Sequence, residues 1–506
     1  MLNGIPINDQ STTNGLYDFG QDFITNLSSI EIYKGPSSIY FGSDAIGGAI
    51  NYITAPKKKD SISYGTSGSL GDTHFSKTIF AYNTISSLQG GFHQSKDSSA
   101  MTGSEKDLIK NKSGSMNIQK WINDNISISS SVTGRQTYSQ IDNSAIKQIG
   151  YDSTTLFGAF QGNLDFLTRF SSTNLRLHHH FHKREYNSPN NEFDEYNSNS
   201  NFLRLEHSSN TFDNLHFGGG VDYKIDKANF ANRGSYNSSL AGDYSTQSYF
   251  GNLSYFFDKT LSSTFLYRIN SNSVIGDKDD YKLSITKKIV DNFDVKLSHG
   301  TGHKNPSLYE LYGADNFGYR GNKNLKAEEA KLNEVTLTYN PAKDTKVGVT
   351  LFKNEIQNLI TYKDNTYRNS SGLNNQNGLE LNLNYSTHDY NMGIFANNII
   401  SQDSSNLTQL RRPRNTLGIN FKNKITENSN YFLNYSYTGN YFDTHSTSYE
   451  RIKMDNVNIA NIGVITSYYG TSLIFGIKNL LNENYEKPHG YSNRGRHISL
   501  NLETKY

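Results

Sequence analysis

His178, His180 and His182 recur at every second position between Leu175 and His182. Side chains two apart on an extended strand share a face. The three imidazoles therefore form one row, with Arg176 and Arg184 on the same face and Leu175, Leu177, His179 and Phe181 on the other. Neutral imidazole is a common metal ligand, so one reading of the row is a metal- or haem-contacting patch. The flanking guanidinium groups repel a cation, which favours a plain polar face. Glu192, Asp194 and Glu195 follow closely. They offer the oxygen ligands that calcium takes, but without a spaced ligand pattern, and solvated loop charge is the simpler reading. The chain has no cysteine, which removes a thiolate metal site, a cysteine nucleophile and a disulfide scaffold. No phosphate loop, HExxH helix or nucleophile elbow is present. The expectation is a protein that is not an enzyme and holds no resident cofactor.

The elements that carry these residues follow from composition and alternation. The 506 residues are 34% hydrophobic and 19% charged, against roughly 45–50% and about 25% for a typical globular chain. Aromatics nevertheless reach 13%, with 35 Tyr and 28 Phe, which is unlike a disordered chain. A net charge of +2 argues against a general nucleic-acid binder. No run of about 18 or more apolar residues exists, so a helical membrane protein is excluded. The apolar residues are instead spread at period two. Tyr431, Leu433, Tyr435 and Tyr437 alternate with Phe432, Asn434, Ser436 and Thr438. Leu379, Leu381 and Leu383 alternate with Glu380, Asn382 and Asn384, and Tyr281, Leu283 and Ile285 with Lys282, Ser284 and Thr286. Ile498, Leu500 and Leu502 repeat the pattern at the end of the chain. Each segment has one apolar and one polar face, as in a strand buried on one side.

The connections alternate between short and long. Tight turns are expected at Tyr82–Thr84, Asn123–Asn125, Ser171–Asn174, Ser208–Thr211, Asp258–Thr260, Asp291–Asn292, Asn340–Asp344, Ser386–Asp389, Thr426–Asn430 and Tyr469–Gly470. Longer polar stretches fall between them, as at Thr137–Ser153, His303–Glu329 and Phe442–Asp455. Counting from Ser61 to Tyr506 gives about 22 strands, an even number with short turns at one end and long loops at the other, as in an outer-membrane barrel. About 20 residues per strand and loop suits strands of about 9–11 residues in the membrane. A soluble solenoid or propeller would show a fixed sequence period, and none is visible. The fold class is thus an all-β membrane protein, a transmembrane barrel of about 22 antiparallel strands, wide enough to need a plug.

Residues 1–56 read differently, as a compact, turn-rich α+β piece. Gly35-Pro36 is a turn signal, and Gly42, Gly47 and Gly48 permit positive φ or close backbone approach. Pro56 and Lys57-Lys58-Lys59 mark a boundary, giving a plug-type segment 1–56 and a barrel 57–506. The run from Ser29 through Lys34-Gly35-Pro36, Tyr40-Phe41-Gly42 and Gly47-Gly48 to Thr54 resembles the end of the plug domain of TonB-dependent outer-membrane receptors, with the pattern I-E-V-x-R-G-P-x-S-x-x-Y-G-x-x-A-x-G-G-x-I-N-I-I-T. Lys34 stands in place of the usual Arg and Phe41 in place of Tyr. Leu2-Asn3-Gly4-Ile5-Pro6 resembles the family's earlier L-D-G-V-P strand. Asn305-Pro306-Ser307-Leu308-Tyr309-Glu310-Leu311-Tyr312, then Gly321-Asn322 to Glu328, resembles the family's A-P-S-L-x-E-L-Y … G-N-P-x-L-K-P-E, and Ile477 to Tyr485 with Gly495-Arg496 resembles V-x-N-L-x-D-x-x-Y … G-R.

That resemblance implies energised uptake of a scarce chelated nutrient such as cobalamin, a ferric siderophore or haem across a Gram-negative-type outer membrane. The modest loops resemble the cobalamin-receptor branch more than the large siderophore receptors. A passive porin-like barrel or a structural or adhesion barrel is the alternative, and neither has a reason to keep the plug motif. The implied partners are outer-membrane lipid, the TonB complex, the β-barrel assembly machinery, to which Tyr506 resembles the C-terminal aromatic signal, and the ligand. No signal peptide is visible, and the TonB box and first half of the plug are expected ahead of Met1. Alternation places Glu334 and Glu380 in the lumen. By resemblance they pair with the plug's basic residue, Lys34, with Glu31 nearby, and form a plug–barrel latch. Plain solvation of a polar lumen is the alternative. Tyr309, Tyr312, Phe317 and Tyr319 either contact a flat or apolar ligand or pack their own loop.

Overall fold

The computed structural model describes residues 1–21, 27–54, 63–71, 74–83, 85–97, 106–141, 151–189, 192–232 and 238–505. Among the described residues, 22 antiparallel strands close into one barrel. The last strand, His497–Lys505, pairs with the first, Ser63–Gly71, through Ser499↔Gly71 to Lys505↔Gly65. Closure leaves no strand edge unpaired, which is what a bilayer demands of a sheet. The expected strand number is therefore found. The alternation that revealed it is the physical reason for the shell. Leu351, Leu379, Leu433 and Leu500 are exposed on the outer wall, while their neighbours Thr350, Glu380, Asn434 and Ser499 point inward by the period of the strand.

The ends of the barrel differ as expected. One end has only short connections, among them Asp124–Asn125, Asp213–Asn214, Asp291–Asn292 and Tyr469–Gly470. Large apolar residues such as Trp121, Phe170, Phe212, Phe257, Tyr390 and Tyr469 stand exposed beside these turns, the position of an interfacial girdle. Two expected turns are corrected. Ser171–Asn174 and Ser208–Thr211 lie within the strands Ser171–Asn187 and Phe193–Phe212, and the turns are at residues 168–170 and 213–214. These Ser and Thr residues are turn formers by type, but here they pair across strands. Ser172 and Ser208 share a hydroxyl bond of 2.8 Å, and Thr173 meets His207 at 2.8 Å.

Strand length is the second difference. Tyr151–Leu167, Ser171–Asn187, Phe193–Phe212 and Leu215–Asn232 run 17, 17, 20 and 18 residues. They outrun the span of a membrane of about 9–11 residues, and on their inner faces Gln161, His180, His182, Arg184, Ser198 and Arg204 bond to the plug. Two long loops add hairpins of their own, Ile360–Lys363 with Thr366–Asn369 and Tyr441–Thr444 with Arg451–Met454.

The plug segment lies inside the barrel. Ser29–Lys34 (β1) and Gly48–Ile53 (β2) pair antiparallel, and Ser38–Phe41 (α1) lies between them. Residues 1–5 join the other side of β2, through Asn3 N to Tyr52 O at 2.8 Å and Tyr52 N to Met1 O at 3.0 Å. The expected boundary at Pro56–Lys59, and Tyr506, lie outside the described residues.

Candidate functional site

The site is the contact between plug and wall, and the glycines of the plug motif set its shape. Gly35 has φ +70°, and a Cβ there would lie 2.6 Å from Leu332 Cδ2 on the wall. Gly48 has φ +131°, and a Cβ would lie 2.3 Å from Tyr33 O across the β1–β2 pair. Gly42 caps α1 at φ +79°, its N–H bonded to Ser38 O at 2.8 Å. Gly47 differs from its expectation, having neither positive φ nor a neighbour within 4 Å of a Cβ. Pro36 seats the turn against the wall, where a Cβ on Gly302 would come within 2.7 Å of Pro36 Cβ. Beside it Ser38 Oγ donates to His303 O at 2.9 Å and accepts from His303 N at 3.2 Å.

Of the four residues proposed as a latch, Lys34 and Glu380 meet, with Nζ 2.5 Å from Oε2. Lys34 is 60% exposed and Glu380 13%. Glu31 is turned elsewhere. The register pairs it with Asn51, and it accepts bonds from Asn51 Nδ2 at 2.9 Å and Tyr33 Oη at 3.0 Å. It therefore braces the plug hairpin and does not touch the wall pair, because cross-strand neighbours point to one side. Glu334 accepts from Thr336 Oγ1 at 3.4 Å and lines, with Lys34, Glu380, Ile32, Phe352 and Arg412, a cavity of about 880 Å³ between plug and wall.

The opposite wall holds the plug by different means. His180 Nε2 lies 3.2 Å from Asn8 O and His182 Nε2 3.1 Å from Ile7 O. Arg184 reaches Ser11 O at 3.0 Å and Asp9 Oδ2 at 2.9 Å, and Ser198 Oγ donates to Asp9 Oδ1 at 2.7 Å. All three histidines are buried. The sequence marked this row as polar or metal-contacting. The partners of His180 and His182 are plug carbonyls, which every residue possesses and no composition reveals, and His178 meets His180. Among the described residues no group of three or more His, Cys, Asp or Glu is arranged to hold a metal ion. Asp194 and Glu195, read from the sequence as loop charge, lie instead in the strand Phe193–Phe212, where Glu195 pairs with Lys183 at 3.1 Å.

The outer loops complete the site. Leu308–Tyr312 (α2) opens on a capping box, with Glu310 N donating to Ser307 Oγ at 3.0 Å and Ser307 N to Glu310 Oε2 at 2.7 Å. Ser307 Oγ also donates to Thr13 O of the plug at 2.7 Å, so this loop sits on the plug's outer tip. Tyr309 and Tyr319 stack at 4.9 Å, and Tyr319 Oη donates to Tyr309 O at 2.6 Å. Burial pushes both phenols up, so they stay protonated and pack their loop. Tyr312 lies under Lys323 at 5.1 Å, and Phe317 is 62% exposed.

The family description "TonB-dependent Receptor Plug Domain" matches residues 1–49, and "TonB dependent receptor-like, beta-barrel" matches residues 100–480. The chain is 24% identical to the vitamin B12 transporter BtuB of Vibrio cholerae, over 96% of its own length and 81% of that protein's. Among solved structures it is similar to the siderophore receptor PirA of Acinetobacter baumannii, with a TM-score of 0.84 at 14% identity, covering 100% of this chain and 90% of that one. The ferric yersiniabactin uptake receptor FyuA of Yersinia pestis gives 0.76 at 15%, covering 96% and 86%. A barrel closed by 22 strands, a plug seated within it and a family match spanning most of the chain agree, and the chain belongs to the TonB-dependent receptors, which take up chelated nutrients across the outer membrane.

Proposed function

We propose that this receptor takes up a cobalamin-type corrinoid at the outer membrane of a Gram-negative bacterium. The observation that carries the ligand class is the similarity to a vitamin B12 transporter along 96% of the chain. The solved siderophore receptors match at about half that identity or a little more and support the fold alone. In this reading the ligand settles above the plug tip, among the loops that include Phe317. TonB then draws on the plug, and the Lys34–Glu380 pair is a closing contact that parts. The apolar outer wall and its girdle face lipid, and Tyr506 serves the assembly machinery. No covalent step and no resident cofactor belong to the cycle.

The test is binding of cobalamin, haem and ferric siderophores to the full-length receptor in parallel. Tight binding of cobalamin supports the proposal, and tight binding of a siderophore alone overturns it.

A further inference from the structure

We propose that the outer wall carries a docking site for a phosphorylated glycolipid of the outer leaflet, built by Lys96, Lys110 and Lys112 on two neighbouring strands. The site lies on the lipid face, apart from plug and lumen, and does not depend on which nutrient the receptor carries.

Lys110 and Lys112 belong to the strand Asp107–Asn123 and Lys96 to Ser86–Asp97. Met116 and Ile118 are exposed on the first strand and Leu88 on the second. The three lysines share the parity of those residues, so they face outward, and all three are exposed. The buried Asn111, Asn117 and Gln89 take the inward face. Height follows by counting along the strands. Trp121 stands in the girdle beside the short turns, and a strand crosses the membrane in about 9–11 residues. Lys112 and Lys110 lie nine and eleven residues from Trp121, and Lys96 lies ten from Ser86, where its strand leaves a short turn. All three therefore stand at the far edge of the membrane band, on the side of the long outer loops.

The register gathers them. Lys96 pairs with Leu108 and Lys110 with Gln94, so the two lysines are diagonal neighbours at about 7–8 Å. Lys112 follows Lys110 on the same face, about 7 Å along the strand. Their cross-strand neighbours are Phe92, Gln94, Leu108, Gln136 and Tyr138, and no carboxylate among the described residues faces them. Like charges so placed repel. Other outward lysines are matched within the chain, Lys183 by Glu185 at 2.7 Å and Glu195 at 3.1 Å, and Lys353 by Glu355 at 2.6 Å. In this sector the balancing anion is left to a partner, and a lysine ammonium binds phosphate as a point charge.

The wall below the lysines makes that partner a lipid. Met116, Ile118 and Leu88 present an apolar surface. Directly under Lys112, Gly114 faces Gly90 and Gly134 across the strands. A Cβ on any of these three would meet nothing nearer than 3.6 Å, so the wall is flat there and open to close approach by an acyl chain. A phosphate that carries acyl chains uses both features. Three cations over two strands exceed what one phosphodiester balances and suit a sugar headgroup with two phosphates.

The test measures binding of labelled, bisphosphorylated lipid A to the full-length receptor in nanodiscs of neutral lipid. Wild type is expected to bind it, with no displacement by equal amounts of dephosphorylated lipid A, phosphatidylglycerol or inorganic phosphate. Lys96→Gln with Lys110→Gln and Lys112→Gln is expected to weaken binding on the order of 100-fold, about fivefold for each lysine. Lys96→Arg with Lys110→Arg and Lys112→Arg should retain it, and Lys183→Gln with Lys353→Gln, at the matched positions, should leave it unchanged. Undiminished binding by the triple Gln variant overturns the proposal. So does equal binding of the dephosphorylated lipid, or displacement by phosphatidylglycerol or inorganic phosphate. If the triple Gln variant fails to fold, the competition on the wild-type receptor decides alone.

Discussion

Asp9 and Glu380 each meet a basic residue between plug and wall, but in different surroundings, and the surroundings set the cost of removing either partner. Arg184→Met leaves Asp9 buried and unpaired, which costs about 3–5 kcal/mol. The expected result is a large drop in the plug's resistance to heat or protease, measured by melting and limited proteolysis of the purified receptor. Glu380→Gln removes a pair whose lysine is more than half exposed to water, worth about 0–1 kcal/mol. Its melting should barely move, while entry of large antibiotics and detergents into cells rises. Glu334→Gln, away from that pair, is expected to leave both readings near wild type. The motif glycines separate in the same way. Gly48→Ala meets Tyr33 O at 2.3 Å and stores strain of about 1–3 kcal/mol, whereas Gly47→Ala enters open space and should stay within about 0.5 kcal/mol. Thermal shifts of the two variants check this. Alternation put Glu380 in the lumen, and the family resemblance supplied its partner. The role of His180 and His182 was not legible, since a side chain's type does not say that a distant backbone carbonyl faces it.

At the scale of the strand, period two decides what each substitution does. Leu351 stands exposed on the outer wall, and Leu351→Arg near the bilayer midplane is expected to cost about 2–4 kcal/mol. Asn434 lies on the inward face of Ser429–Thr438, and Asn434→Arg should cost far less. Unfolding of both variants in lipid measures the difference. The same period made the strands readable from the sequence. It did not fix their ends, because Ser, Thr and Asn serve turns and polar strand faces equally. Ser172 and Thr173 show the ambiguity, having the composition of a turn and the cross-strand bonds of a ladder. The capping box of α2 was present in Ser307-Leu308-Tyr309-Glu310, but only the fold shows that Ser307 also reaches Thr13 of the plug.

For the whole molecule, a polar chain rich in Tyr and Phe became a thin outer band around a polar lumen, and 22 strands follow from counting its alternations. What the lumen carries was less legible. Loops determine the ligand, and they vary freely over a constant scaffold. Tyr309 and Tyr319 look like ligand contacts by type, yet they stack on each other. The central claim is that the barrel is an energised gate. It is tested most directly by the uptake of labelled cobalamin into cells carrying the full-length receptor, with TonB intact and with TonB deleted. The account predicts accumulation that is lost when TonB is deleted. Equal accumulation in both strains would contradict it and make the barrel a passive pore.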